Sequence, residues 1–128
     1  MSVRKSNTYD NLLLLKDAGA VTANGVATVG GQARVLDVGQ AAVGPAKLVI
    51  DTSALTGTGT YDLALQGSTD LAFTTPVELA STKVTAVGRQ ELPFDNQQDT
   101  TIYRYLRVFV TVGGSSPSVN ATVFAAKG

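Results

Sequence analysis

Residues 103–112 read YRYLRVFVTV. Alternate positions put Leu106, Val108, Val110 and Val112 on one side, the period-2 apolar row of a strand with one face in a core. The other side carries Tyr103, Tyr105, Arg107, Phe109 and Thr111. A strand with water on that side reads Thr, Lys, Glu or Ser. Two tyrosines, an arginine and a phenylalanine there predict a surface that something covers. The segment therefore argues for a β fold and for an interface in the same ten residues.

The next β-type run is SVNATVFAA (118–126), after the turn chemistry of GGSSPS (113–118). A hairpin joining the two matches its core faces only if Val108 opposes Val123, Val110 opposes Ala121 and Val112 opposes Val119. A slip by one residue puts valines opposite polar side chains. In the matching register Phe124 falls beside Arg107, with Phe109 close by, so the aromatic and cationic face spans two strands.

Upstream, short β-type runs recur at intervals near those of a sandwich or barrel. They are AVTANGVATVG (20–30), ARVLDVG (33–39), AKLVIDT (46–52), TYDLALQG (60–67), PVELAS (76–81) and KVTAVGRQEL (83–92), which with the two above make eight. TGTGTYD (56–62) reads as a hairpin loop, because a phosphate-binding glycine loop needs a helix behind it and a strand follows here. Asp10 can cap a single helical turn over DNLLLLKDA (10–18), but Leu12, Leu13, Leu14 and Leu15 would cover every side of it. The leucines are expected to dock as a block on something apolar. No repeat or linker divides the chain. The expected organisation is an N-terminal arm over 1–18 and one all-β sandwich domain over 19–128.

At 128 residues, folding buries roughly two-thirds of the unfolded surface, so the core stands without staples. The chain has neither cysteine nor histidine, which removes disulfides, thiolate chemistry and the usual zinc ligands. Ten basic and ten acidic residues cancel, arguing against a generic binder of nucleic acid or anionic membrane. No apolar run exceeds the four residues of Leu12–Leu15, far below the ~20 residues of a membrane span. MSVRKSNTYDN is too polar for a secretory signal, so a soluble protein made in the cytosol is expected. Charged residues make up only 16% of the chain, and Val, Ala, Thr and Gly take their place, as in a protein that packs against neighbours.

Catalysis without histidine or cysteine falls to carboxylates, lysines or tyrosines. A glycosidase pair drawn from Asp51, Asp62, Asp70, Glu78 and Glu91 is conceivable on a β-sandwich, but nothing in their spacing favours it, and each reads as a solvated strand or turn residue. Asp95, Asn96 and Asp99 in DNQQD (95–99) offer oxygen ligands yet fall short of a calcium loop, so a polar connection is expected. No enzyme activity, cofactor, metal or small-molecule substrate is predicted.

Five segments in order carry a resemblance: DNLLLLKDAGAVTANGVATV (10–29), VLDVG (35–39), LVIDTSALTGTGTYDLALQGSTDLAF (48–73), PVELAS (76–81) and RYLRVFVTVGG (104–114). Together they resemble the small capsid cement (decoration) proteins of tailed bacteriophages, of the Bordetella phage cement protein family. Two stretches depart from the family pattern, the Gly- and Val-rich 25–31 and the polar DNQQDTT (95–101). The resemblance implies an antiparallel jelly-roll sandwich of about eight strands, commonly a homotrimer. It implies binding to the major capsid protein lattice on the outer surface of the virion, where bridging capsomers stabilises the shell. The interface residues are then expected to be Arg4, Lys5 and Leu12–Leu15 of the arm, with Tyr105, Arg107, Phe109 and Phe124 of the last two strands. The alternative is a carbohydrate-binding or adhesion sandwich of a phage tail or bacterial surface, for which the lack of tryptophan is unfavourable.

Overall fold

The computed structural model describes residues 14–38, 46–56, 59–98, 100–115 and 117–127. Arg4, Lys5, Leu12 and Leu13 lie outside them. The described residues contain no helix. Their strands, in chain order, are β1 (Leu14–Lys16), β2 (Ala20–Val21), β3 (Gly25–Val26), β4 (Thr28–Val29), β5 (Gln32–Ala33), β6 (Leu36–Asp37), β7 (Ala46–Thr56), β8 (Thr60–Ser68), β9 (Val77–Lys83), β10 (Gly88–Phe94), β11 (Gln97–Gln98), β12 (Thr101–Ile102), β13 (Tyr105–Gly113) and β14 (Ser118–Lys127). Valine, threonine and leucine at alternating positions make the long strands, and glycine-rich stretches end them.

The strands form an antiparallel sandwich. Sheet I runs β1-β14-β7-β10, with β2 also on β14; sheet II runs β3-β13-β8-β9, with β6 also on β13. Counting β1/β2 and β3/β6 as one strand each gives two four-stranded sheets in which the chain passes back and forth between layers, the jelly-roll order. Two small hairpins, β4–β5 and β11–β12, sit outside this order.

The expected 103–112/118–126 hairpin does not form. β13 pairs with β8, placing Val108 opposite Leu65 and Val110 opposite Leu63, whereas β14 pairs with β7, placing Val123 opposite Ile50. The 113–118 connection carries the chain from one sheet to the other. Leu106, Val108, Val110, Val119, Ala121 and Val123 are all buried in one core, as the alternation predicts, but they meet across it from opposite layers. Phe124 and Arg107 consequently lie on opposite outer faces of the sandwich. The 56–60 connection is likewise a crossover between β7 and β8 and no hairpin. A Cβ on Gly59 would stand 2.6 Å from the Gly113 carbonyl oxygen and 2.8 Å from Pro117 Cβ, so glycine is needed where the two crossovers touch.

The N-terminal boundary also moves. Leu15 is fully buried in the main core, and Leu14 packs with Val49, Phe124 and Ala126 in a second cluster on the outside of sheet I. Residues 14–18, expected in the arm, are thus part of the sandwich. Lys16 fixes them there: its buried ammonium donates to the carbonyls of Asp17 (3.0 Å), Gly19 (3.0 Å) and Ala121 (2.6 Å). Ala121 borders the point where the β14–β7 ladder slips, with Ser53 as the extra residue. Gly19 N–H adds a bond to Asn120 Oδ1, and Ser53 Oγ donates to the Asn120 carbonyl. Burial pushes the Lys16 ammonium below its ordinary pKa, against the opposing pull of Asp17.

The remaining N-terminal strands close one side of the sandwich, β2 on sheet I and β3 and β6 on sheet II. At the other side β9 and β10 are edge strands. Pro93 on β10 and the extra residue Leu79 in β9 blunt them against further pairing.

Two stability outcomes follow. Lys16→Met keeps the aliphatic stem but strips three carbonyls of their donor, so urea unfolding should show a loss of about 2 kcal/mol; Lys47→Met, which breaks only the ion pair to Glu91 at the surface, should cost less than about 1 kcal/mol. Equal losses would mean that Lys16 is no clasp. Thr52 Oγ1 is buried with no hydrogen-bond partner among the described residues, so Thr52→Val should raise stability by about 1 kcal/mol, and a lower unfolding midpoint would contradict this reading.

Candidate functional site

The outer face of sheet II answers the question set by YRYLRVFVTV. With Leu106, Val108 and Val110 turned inward, Tyr105, Arg107 and Phe109 point outward, each half-buried. The strand begins at Tyr105, so Tyr103 belongs to the preceding connection, where its N–H bonds the Asn96 carbonyl at 2.7 Å. Across the sheet, Phe109 lies between Val26 and Ala64, Arg107 faces Gln66, and Tyr105 lies between Asp37 and Ser68.

Part of the cover comes from the chain itself. The 69–76 connection between β8 and β9 folds back so that the Phe73 ring lies 4.2 Å from the Arg107 guanidinium and is buried. Phe73 is the sole non-glycine residue with positive φ (53°) among the described residues. A left-handed conformation costs an L-residue about 1–2 kcal/mol, so its surroundings must hold it. Asp70 does so. Its carboxylate accepts from Ser68 Oγ at 2.7 Å and Thr74 Oγ1 at 2.7 Å, and its carbonyl accepts from Phe73 N–H at 3.1 Å. The Ser68 hydroxyl, and after it Thr74, holds the Asp70 carboxyl below its ordinary pKa. The same loop displays Leu71, 63% exposed.

The arginines of the faces differ in their partners. Arg89 on sheet I makes a two-point pair with Asp51 (2.9 and 2.9 Å), and Arg104 beside sheet II makes one with Asp37 (2.9 and 3.0 Å). Arg107 has no acid. Its Nε donates to Gln66 Oε1 at 2.7 Å, and its terminal nitrogens have no acceptor among the described residues. Burial lowers its pKa from the ordinary value, though a guanidinium so shifted remains charged.

The expected interface residues separate accordingly. Tyr105, Arg107 and Phe109 come together on sheet II. Phe124, expected beside them, is buried on the opposite side of the sandwich against Leu14 and Val49, with Arg89 6.0 Å from its ring. Leu14 and Leu15 are likewise buried in the subunit and offer nothing to a partner. Phe73 was not singled out by the sequence; the only hint is Ser68-Thr69-Asp70, which has the spacing of a hydroxyl–carboxylate turn.

The candidate carboxylates are scattered and engaged. Asp51 pairs with Arg89, Asp62 with Lys83 and Glu91 with Lys47; Glu78 accepts from Ser81 Oγ. No cluster of metal-binding side chains occurs among the described residues. In the DNQQD segment Asn96 is fully buried, donating Nδ2 to the Tyr103 carbonyl at 3.1 Å and pinning the β11–β12 hairpin; Asp99 lies outside the described residues. For a sugar-binding platform the aromatic rings are poorly placed. Tyr105 and Phe73 have Arg104 and Arg107 over them at 5.2 and 4.2 Å, which leaves less free ring surface for stacking. No helix among the described residues is long and apolar enough to cross a membrane. No family model matches the chain, and no curated protein matches it.

Asp70 titration provides a check on the loop. Its folded pKa lies below the unfolded value, so the stabilisation is fully present above the unfolded pKa and is lost as pH falls through the folded one. Asp70→Asn should abolish that acid dependence. In hydrogen exchange at neutral pH it should also speed exchange of amides 71–74 while leaving β13 protected. Unchanged exchange in the loop would show that Asp70 does not hold Phe73 in place.

Proposed function

We propose that the chain is a capsid cement protein of a tailed bacteriophage. It is non-enzymatic and homotrimeric, and it binds the outside of the assembled major capsid protein lattice. The observation that carries this reading is the outer face of sheet II, where Tyr105, Arg107 and Phe109 stand half-buried on a jelly roll and Arg107 has no acid partner among the described residues. Aromatic residues and arginine are the types enriched where proteins meet, because they bring large contact area with a polar tip. The jelly-roll order agrees with the fold that the family resemblance implies. A formal net charge of zero removes the long-range repulsion that would oppose close packing of many copies on a shell.

The mechanism is mechanical. A trimer presents its footprint three times, and three weak contacts on one rigid body dissociate far more slowly than one. In this reading residues 1–13, which precede β1 in the chain, supply Arg4, Lys5, Leu12 and Leu13 as further anchoring groups; Leu14 and Leu15 are buried in the subunit.

The test is reconstitution with shells assembled from the major capsid protein of the same phage. The protein should co-sediment to saturation, in a ratio set by a trimer, and raise the temperature at which shells disrupt. The double variant Arg107→Ala, Phe109→Ala should keep the β circular-dichroism spectrum and lose at least about tenfold in affinity, the loss of one modest hot spot. A protein that stays monomeric at all concentrations and leaves shells unaffected would refute the reading.

A further inference from the structure

We propose that Arg107 is the docking point for a carboxylate carried by a protein partner. The inference rests on the capsid reading only in taking the outer face of sheet II as a surface that meets protein. What it adds is the chemistry of the contact.

Arg107 differs from Arg89 and Arg104, each of which is paired with an aspartate. Arg89 and Arg104 each give Nε and one terminal nitrogen to both oxygens of an aspartate on a neighbouring strand. The strand neighbour of Arg107 is Gln66, the neutral counterpart of glutamate, and it takes Nε alone. Among the described residues the terminal N–H groups have no acceptor and the guanidinium no counter-charge, on a side chain that is half-buried, so they remain for an outside acceptor. A charge partly removed from water without a counter-charge is costly, and an incoming carboxylate offsets that cost.

The fork is also held still. Gln66 fixes it at Nε, and Phe73 covers one face at 4.2 Å. Phe73 is itself held by the Asp70 hydrogen bonds in a backbone conformation that phenylalanine rarely adopts. Ordering has thus been done before the partner arrives, which is where affinity at a single charged contact is usually lost. A planar fork matches the two oxygens of a carboxylate. Nucleic-acid phosphates would call for several unpaired basic groups on one face, but Arg104 is already paired with Asp37 and Lys83 with Asp62. Apolar groups on the same face and loop, Phe109 with Val26 opposite it and the exposed Leu71 two residues before Phe73, suit a protein surface around the carboxylate.

The test uses the full-length protein in solution, without shells, so that its outcome is separate from that of the cement reading. Arginine side-chain N–H signals of isotope-labelled protein are followed by nuclear magnetic resonance as sodium acetate is added, against sodium chloride and sodium phosphate at equal ionic strength. Acetate should shift the Arg107 signals saturably while those of Arg89 and Arg104 stay in place. Gln66→Glu, which supplies a carboxylate from within, should weaken the acetate response at least about tenfold. Shifts of equal size with chloride would reduce the effect to screening and overturn the proposal. Saturation by phosphate at lower concentration than acetate would overturn it in favour of a phosphate-bearing partner, and an undiminished acetate response in Gln66→Glu would place the anion elsewhere. Should acetate bind as described while the protein fails to decorate shells, the carboxylate site stands and the capsid reading falls.

Discussion

The fold depends on one contact, the meeting of the inward rows of β13 and β14 across the core. Leu106, Val108 and Val110 come from one sheet, and Val119, Ala121 and Val123 from the other, all fully or nearly fully buried. Burying these rows supplies the main driving force, which is proportional to area and indifferent to direction. Direction comes from the crossover at 113–118, which makes consecutive strands face each other instead of lying side by side. Once that is set, β8 and β7 become the strand partners, and the outer faces of the two sheets acquire separate identities. The sandwich then needs a closed side, and the 14–38 segment provides it by pairing with both sheets.

That geometry explains what the sequence could and could not disclose. Alternation gives the inward or outward sense of a side chain, and it placed Val108, Val110, Ala121 and Val123 inward as they are found. It is silent on which layer a strand joins, because two strands facing across a core and two strands side by side in one sheet bury the same alternate residues. The hairpin, the 56–60 loop and the position of Phe124 all failed for that one reason. The leucine block failed for another: a run of four carries no period, so nothing in it showed that Leu14 and Leu15 enter the subunit.

The candidate site was legible in part. Tyr105, Arg107 and Phe109 were marked by chemistry out of place on a face that water should wet. The Phe73 strap was not, because its position depends on a left-handed backbone angle and on a ring contact with Arg107, 34 positions along the chain. No local pattern encodes a contact of that range. The sequence carries only its fastening, the hydroxyls of Ser68 and Thr74 around Asp70.

Magnitudes decide whether such a strap can hold. The left-handed angle at Phe73 costs about 1–2 kcal/mol. Burying a phenylalanine ring returns about 1.5–3 kcal/mol, and a cation stacked on it adds about 0.5–1 kcal/mol at a partly exposed site. These gains offset the strained angle, and the Asp70 bonds contribute against the entropy of ordering the loop. A loop so fastened keeps Arg107 from swinging into solvent, where it would gain hydration and lose its orientation. The face of sheet II therefore keeps a fixed geometry around Arg107 at the cost of some local backbone strain. For the proposed carboxylate contact, that fixed geometry would limit the ordering cost of binding.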